Sequence, residues 1–79
     1  MQPPADHPKK AIELLSTREL QVFQLLGRGC TTRQIAGQLG VNFKTVQTFC
    51  ARIKQKLELP NAIQLLREAI RWVDDHPRK

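Results

Sequence analysis

No aspartate or glutamate occurs between Glu19 and Glu58. That interval carries Arg28, Arg33, Lys44, Arg52, Lys54 and Lys56, six positive charges that equal the formal net charge of +6 of the whole chain. All seven acidic residues lie in the flanks, which balance to neutrality: three bases against three acids up to Glu19, four against four from Glu58 onward. A solvated helical surface usually mixes both signs. A one-sign interval is the footprint of a polyanionic partner.

Other absences narrow the class. No apolar run approaches the roughly 20 residues that span a bilayer, and the opening "MQPPADHPKK" has no signal-peptide apolar region, so a cytoplasmic protein without a membrane partner is expected. Cys30 and Cys50 are the only cysteines and form no CxxC pair, while His7 and His76 lie near the ends. The plain expectation is two small, buried or half-buried apolar residues, with no metal or disulfide site. Neither histidine nor any acid falls within the basic interval, so no acid–base pair suggests itself, and neither catalysis nor a cofactor is expected. With 79 residues the chain suffices for one domain. A domain of that size buries roughly 60–65% of its unfolded surface, leaving a thin core and little room for a deep cleft.

What is present reads as helix. Pro3, Pro4 and Pro8 mark residues 1–10 as a flexible tail or linker. Residues 11–75 form the expected domain and 76–79 a C-terminal tail, with room for a short helical turn around Ala11 to Leu14. Ser16 and Glu19 in "STRE" make a capping box that opens a first helix, with Leu20, Val22, Phe23, Leu25 and Leu26 on its apolar face and Gly27 and Gly29 ending it. Thr31 and Gln34 in "TTRQ" repeat the box for a short helix through Leu39. Gly40 allows a sharp turn, and Asn42 caps a third helix over about 43–57. Asn61 and Gln64 in "LPNAIQ" start a fourth, through about Val73. No strand pattern, internal repeat or low-complexity block competes. The predicted fold class is all-α: a compact four-helix domain.

On the third helix Val46, Cys50, Ile53 and Leu57 share one face, with Phe49 at its margin. Lys44, Thr48, Ala51 and Gln55 point the opposite way, flanked by Gln47, Arg52 and Lys54. That outward face holds donors, an amide, a hydroxyl and a small methyl, groups suited to base edges and phosphates in a major groove. Ahead of it, Ile35, Ala36, Leu39, Gly40, Val41, Val46 and Phe49 fit a helix-turn-helix whose second helix enters the groove.

Over residues 15–72 the chain resembles the LuxR/FixJ/NarL-type DNA-binding domain. "LSTRELQVF" resembles L-T-x-R-E-x-E-V-L, and "GCTTRQIAGQLGVNFKTVQTF" resembles G-x-S-x-x-E-I-A-x-x-L-x-I-S-x-x-T-V-K-x-H. "ARIKQKLEL" keeps Ile53, Lys56 and Leu57 in the register of I-x-x-K-L, and "NAIQLLREAIRW" resembles the closing helix. The resemblance implies a four-helix domain whose third helix reads the major groove and whose fourth often dimerises. It implies base contacts at Gln47, Thr48 and Ala51, and backbone contacts around Thr31, Arg33, Thr45 and Lys56. Lys44, on the same outward face, joins the base-reading set; Arg52 and Lys54, which flank that face, join the backbone set. Three positions depart from the pattern. Gln47 stands where lysine is common and is suited to reading adenine bidentately, Phe49 replaces histidine, and Gln34 replaces glutamate.

The reading is therefore a transcription regulator that binds double-stranded DNA, as the output domain of a response regulator does. The resemblance implies that such a domain usually follows a receiver or sensing domain. Two alternatives stand beside it: a module like region 4 of a sigma factor, and a protein-interaction bundle with a basic face. The "KL" segment followed by a full fourth helix favours the LuxR-type reading over the first; the acid-free third helix disfavours the second. On the fourth helix Ala62, Leu65, Leu66, Ala69 and Val73 form one broad inward face, with Ile63 and Ile70 off its centre. Ile63, Leu66 and Ile70 are the candidates for a weak dimer contact between copies held on DNA, Leu66 being counted with both faces. RNA polymerase is a further candidate partner.

Overall fold

The computed structural model describes residues 11–76, so the expected tail at 1–10, and all but His76 of the expected tail at 76–79, lie outside the described residues. Within that range the chain forms α1 (Thr17–Gly27), α2 (Thr32–Leu39), α3 (Phe43–Lys56) and α4 (Ala62–Asp75), with no strand among the described residues. Ala11 and Ile12 are also helical, and a turn follows in which the Leu14 amide donates to the Ala11 carbonyl at 2.9 Å. In the described range no helix is long and apolar enough to cross a membrane.

The helix starts stand where their local chemistry puts them. The Glu19 amide donates to Ser16 Oγ at 3.1 Å while the Ser16 amide donates to the Glu19 carboxylate at 2.9 Å, closing the box at α1. Thr31 and Gln34 do the same at α2, at 3.1 and 2.8 Å. Asn42 Oδ1 accepts from the Lys44 amide at 2.7 Å and Asn61 Oδ1 from the Gln64 amide at 2.9 Å. Each satisfies amides that the first helical turn leaves without a partner.

α1 lies at the centre and packs against the other three helices. Phe23, Val22, Ile35, Val46 and Ile53 are fully buried, with Ile12, Leu26, Ala36, Leu65 and Ala69 around them. Trp72 of α4 meets Phe23 with ring centroids 5.9 Å apart at a tilted angle. Such tilted pairs suit the ring quadrupoles. As expected, α1 ends at Gly27, with its cap at Arg28 and Gly29 following at a positive φ of 93°. A Cβ at Gly27 would collide with the Ala69 carbonyl and stand 2.5 Å from Val73 Cγ2, so this glycine lets α4 lie directly on α1.

That close approach also narrows the inward face of α4. Leu65 and Ala69 are buried and Val73 is half-buried, but Ala62 is exposed and Leu66 is 41% exposed, contrary to the expectation that both pack inward. α4 rests mainly on one helix, so only the residues along a single line of contact are covered. Between α2 and α3 Gly40 takes the left-handed conformation (φ 68°, ψ 35°), and the Val41 amide donates to the Ala36 carbonyl at 3.0 Å. A residue with a Cβ is strained there.

The one buried charge among the described residues is Glu19. Its Oε1 accepts from Lys56 Nζ at 2.7 Å, and the same ammonium donates to the Leu14 carbonyl at 3.2 Å. Burial pushes the Glu19 carboxyl upward, but the bond from Lys56, the Ser16 amide and the charges of Lys56 and Arg52 together hold it below its ordinary 4.5. The start of α1 is thereby tied to the end of α3.

Lys56→Ala leaves that carboxylate buried without its cation. Because the Lys56 side chain is 36% exposed, the expected cost is roughly 2–3 kcal/mol, below the roughly 3–5 of a fully buried pair. The lowered carboxyl makes the contribution complete above pH 4.5 and lost as pH falls through the folded-state value. Glu19→Gln removes that acid-sensitive part. Thermal midpoints measured from neutral to acid pH should therefore fall less steeply in Glu19→Gln than in the parent below pH 4.5; parallel curves would contradict the assignment.

Candidate nucleic-acid interface

The core seats of α3 decide what its other sides present. Val46 and Ile53 are fully buried and Cys50, Leu57 and Phe49 half-buried, which fixes the rotation of the helix about its axis. Lys44, Gln47, Thr48, Ala51, Arg52 and Gln55 are consequently exposed, while Thr45 and Lys54 are half-buried at the margins. Thr48 Oγ1 donates to the Lys44 carbonyl at 3.1 Å. Its hydrogen is thus engaged within the helix, and what it turns outward is an acceptor oxygen and a methyl.

Beside this face stands the start of α2, where Thr31, Arg33 and Gln34 are exposed. The Arg33 guanidinium lies over the Phe43 ring, 4.6 Å from its centroid. Lys56–Glu19 is the one ion pair among the described residues. Arg33, Lys44 and Arg52 therefore have no described carboxylate within ion-pair distance, although the Arg52 charge acts on Glu19 from further off.

Lys56 occupies a different situation from the other candidates. The sequence places it among the backbone contacts, yet its ammonium is committed to Glu19 and the Leu14 carbonyl. Sequence reasoning missed this pairing because the partners lie 37 residues apart. The available signal was that Glu19 is the last acid before the basic interval and Lys56 its last base.

On one side α3 borders a hollow of about 530 Å³, lined by Gln47, Cys50 and Lys54 together with Cys30, Thr31, Leu65 and Leu66. Gln47 and Lys54 thus share one margin of the helix, toward α4. Both cysteines are free and half-buried. Burial pushes the Cys50 thiol above its ordinary range, with the Lys54 charge acting weakly the other way. On α4 Ile63 is 69%, Leu66 41% and Ile70 42% exposed, so the three residues named for self-association all reach the surface.

Residues 13–69 match the luxR family of bacterial regulatory proteins (GerE). Among relatives, the virulence-factor regulator BvgA of Bordetella pertussis is 40% identical over 55 residues, covering 70% of this chain and 26% of its own length. The transcriptional activator protein ExaE of Pseudomonas putida is 39% identical over 56 residues, 71% of this chain and 26% of its own. The oxygen regulatory protein NreC of Staphylococcus carnosus is 33% identical over 67 residues, 85% of this chain and 31% of its own. The chain thus spans about a quarter to a third of these relatives. No solved structure matches it. The family match runs from before α1 into α4 and takes in the whole helix-turn-helix: the chain belongs to the luxR family of bacterial regulatory proteins.

Proposed function

We propose that this domain binds double-stranded DNA sequence-specifically, with α3 in the major groove, as part of a transcription regulator working in the bacterial cytoplasm. One observation carries the reading: the exposed sides of α3 and the adjoining start of α2 hold no acid, and their Arg33, Lys44 and Arg52 have no carboxylate partner among the described residues. Membership of a regulatory family, and relatives described as a transcriptional activator and as regulators, support it.

In this reading Lys44, Gln47, Thr48 and Ala51 meet base edges. Gln47 offers a donor and an acceptor, matching adenine, while the Thr48 and Ala51 methyls match the thymine methyl. Thr31, Arg33, Thr45, Arg52 and Lys54 serve phosphates, which fix register without reading sequence. Lys56 leaves that set. Its removal weakens binding through the fold, since its charge already has a partner.

Association follows from α4. The patch of Ile63, Leu66 and Ile70 is small, far below the roughly 1,200 Å² of a stable interface, so the domain alone is monomeric. Two copies held on adjacent half-sites raise each other's effective concentration and bring the patch against its own copy.

Two measurements test this. Gln47→Ala should lose roughly 1–3 kcal/mol on the preferred duplex, read by fluorescence anisotropy, and much less on random DNA; equal losses on both would make Gln47 a positioning contact instead of a reader. On a duplex with two half-sites, Ile63→Glu or Ile70→Glu should abolish cooperativity while leaving single-half-site affinity nearly unchanged. Full cooperativity in both variants would remove α4 as the contact surface.

A further inference from the structure

We propose that Phe43 is a positioning residue whose ring holds the Arg33 guanidinium in place for a phosphate of the duplex backbone, an inference that rests on the DNA-binding reading above. Arg33 lies in the first turn of α2 and Phe43 is the first residue of α3, so their contact bridges the two helices of the helix-turn-helix across the turn at Gly40. The guanidinium carbon stands 4.6 Å from the ring centroid, within the range where the ring quadrupole attracts a cation over its face.

The placement of Phe43 calls for such a role. An aromatic residue opening a helix beside solvent has no evident packing task, and Phe43 is not among the half-buried apolar residues that lie against the core. It is nonetheless half-buried, with the exposed Arg33 laid over it. A carboxylate in the same place would also restrain the arginine, but it would neutralise the charge that a phosphate needs. An aromatic face restrains without neutralising, and a guanidinium lying on a ring keeps N–H donors free at its edge. In a region with no acid from residue 20 to residue 57, the ring is a partner that restrains the arginine and leaves its positive charge intact.

The platform should contribute to every duplex alike, since a phosphate contact carries no sequence information. The test is a double-mutant cycle on a random-sequence duplex, with affinity followed against salt for the parent, Arg33→Ala, Phe43→Leu, the pair together, and Phe43→Trp. Arg33→Ala should weaken binding and make the slope of log K against log salt shallower by about 1. Phe43→Leu should weaken binding about threefold, should add nothing in the Arg33→Ala background, and should be rescued by Phe43→Trp, which restores a ring. A Phe43→Leu variant that binds like the parent, or that loses as much without Arg33 as with it, overturns the platform and leaves the DNA reading standing. An Arg33→Ala variant with unchanged affinity and slope overturns the backbone contact itself, and the platform with it. Thermal unfolding of Phe43→Leu keeps the two effects apart: a loss of affinity explained by a destabilised fold would persist in the Arg33→Ala background.

Discussion

The Glu19 carboxylate is the constraint on which the arrangement of the other helices depends. It is buried, and burial alone would drive it toward the neutral form. It stays ionised because the Ser16 amide and the Lys56 ammonium both donate to the same oxygen. Those two bonds have different consequences. The first closes the start of α1; the second anchors the last turn of α3 to α1, and through the Leu14 carbonyl to the segment ahead of it. The other end of α3 is set by the Asn42 cap and by the turn at Gly40. With both ends capped or tied and Val46 and Ile53 buried between them, the rotation of the helix is set and its acid-free side faces outward.

This gives the charge distribution a structural meaning. Of the six bases in the interval between Glu19 and Glu58, Lys56 serves the fold, while Arg33, Lys44 and Arg52 stand exposed on α2 and α3. Repulsion among uncompensated bases is a standing cost to a small domain. A duplex would relieve it by placing phosphates where no carboxylate stands. The Arg33–Phe43 contact fits the same logic, since it orders a cation without cancelling it.

The helix starts and the outward side of α3 were legible in the sequence because both follow from short-range rules. A capping box closes within one turn, as Ser16–Glu19 and Thr31–Gln34 do, and the periodicity that buries Val46 and Ile53 also exposes Lys44, Thr48 and Ala51. What escaped depended on a neighbour distant in the chain. Lys56 reads as one more surface cation until Glu19 is brought to it. Gly27 reads as a helix terminator and does end α1, but its second task, letting α4 lie directly on α1, shows only once the two helices meet. Leu66 belongs to the apolar side of α4 by spacing, but how much of that side is covered depends on how closely α4 sits on α1. Phe43 was invisible as a partner of Arg33 because no local rule pairs residues across a turn.

The central claim is that the side formed by the start of α2 and the exposed flank of α3 is the DNA surface. It is tested most directly by following backbone amide resonances of the chain as a short duplex, too short to seat two copies, is added at low salt. The account predicts the largest shifts at Thr31–Arg33 and along Lys44–Arg52, with Ile63–Ile70 on α4 little changed. Shifts concentrated on α4, or none on α3 at saturating duplex, would contradict it.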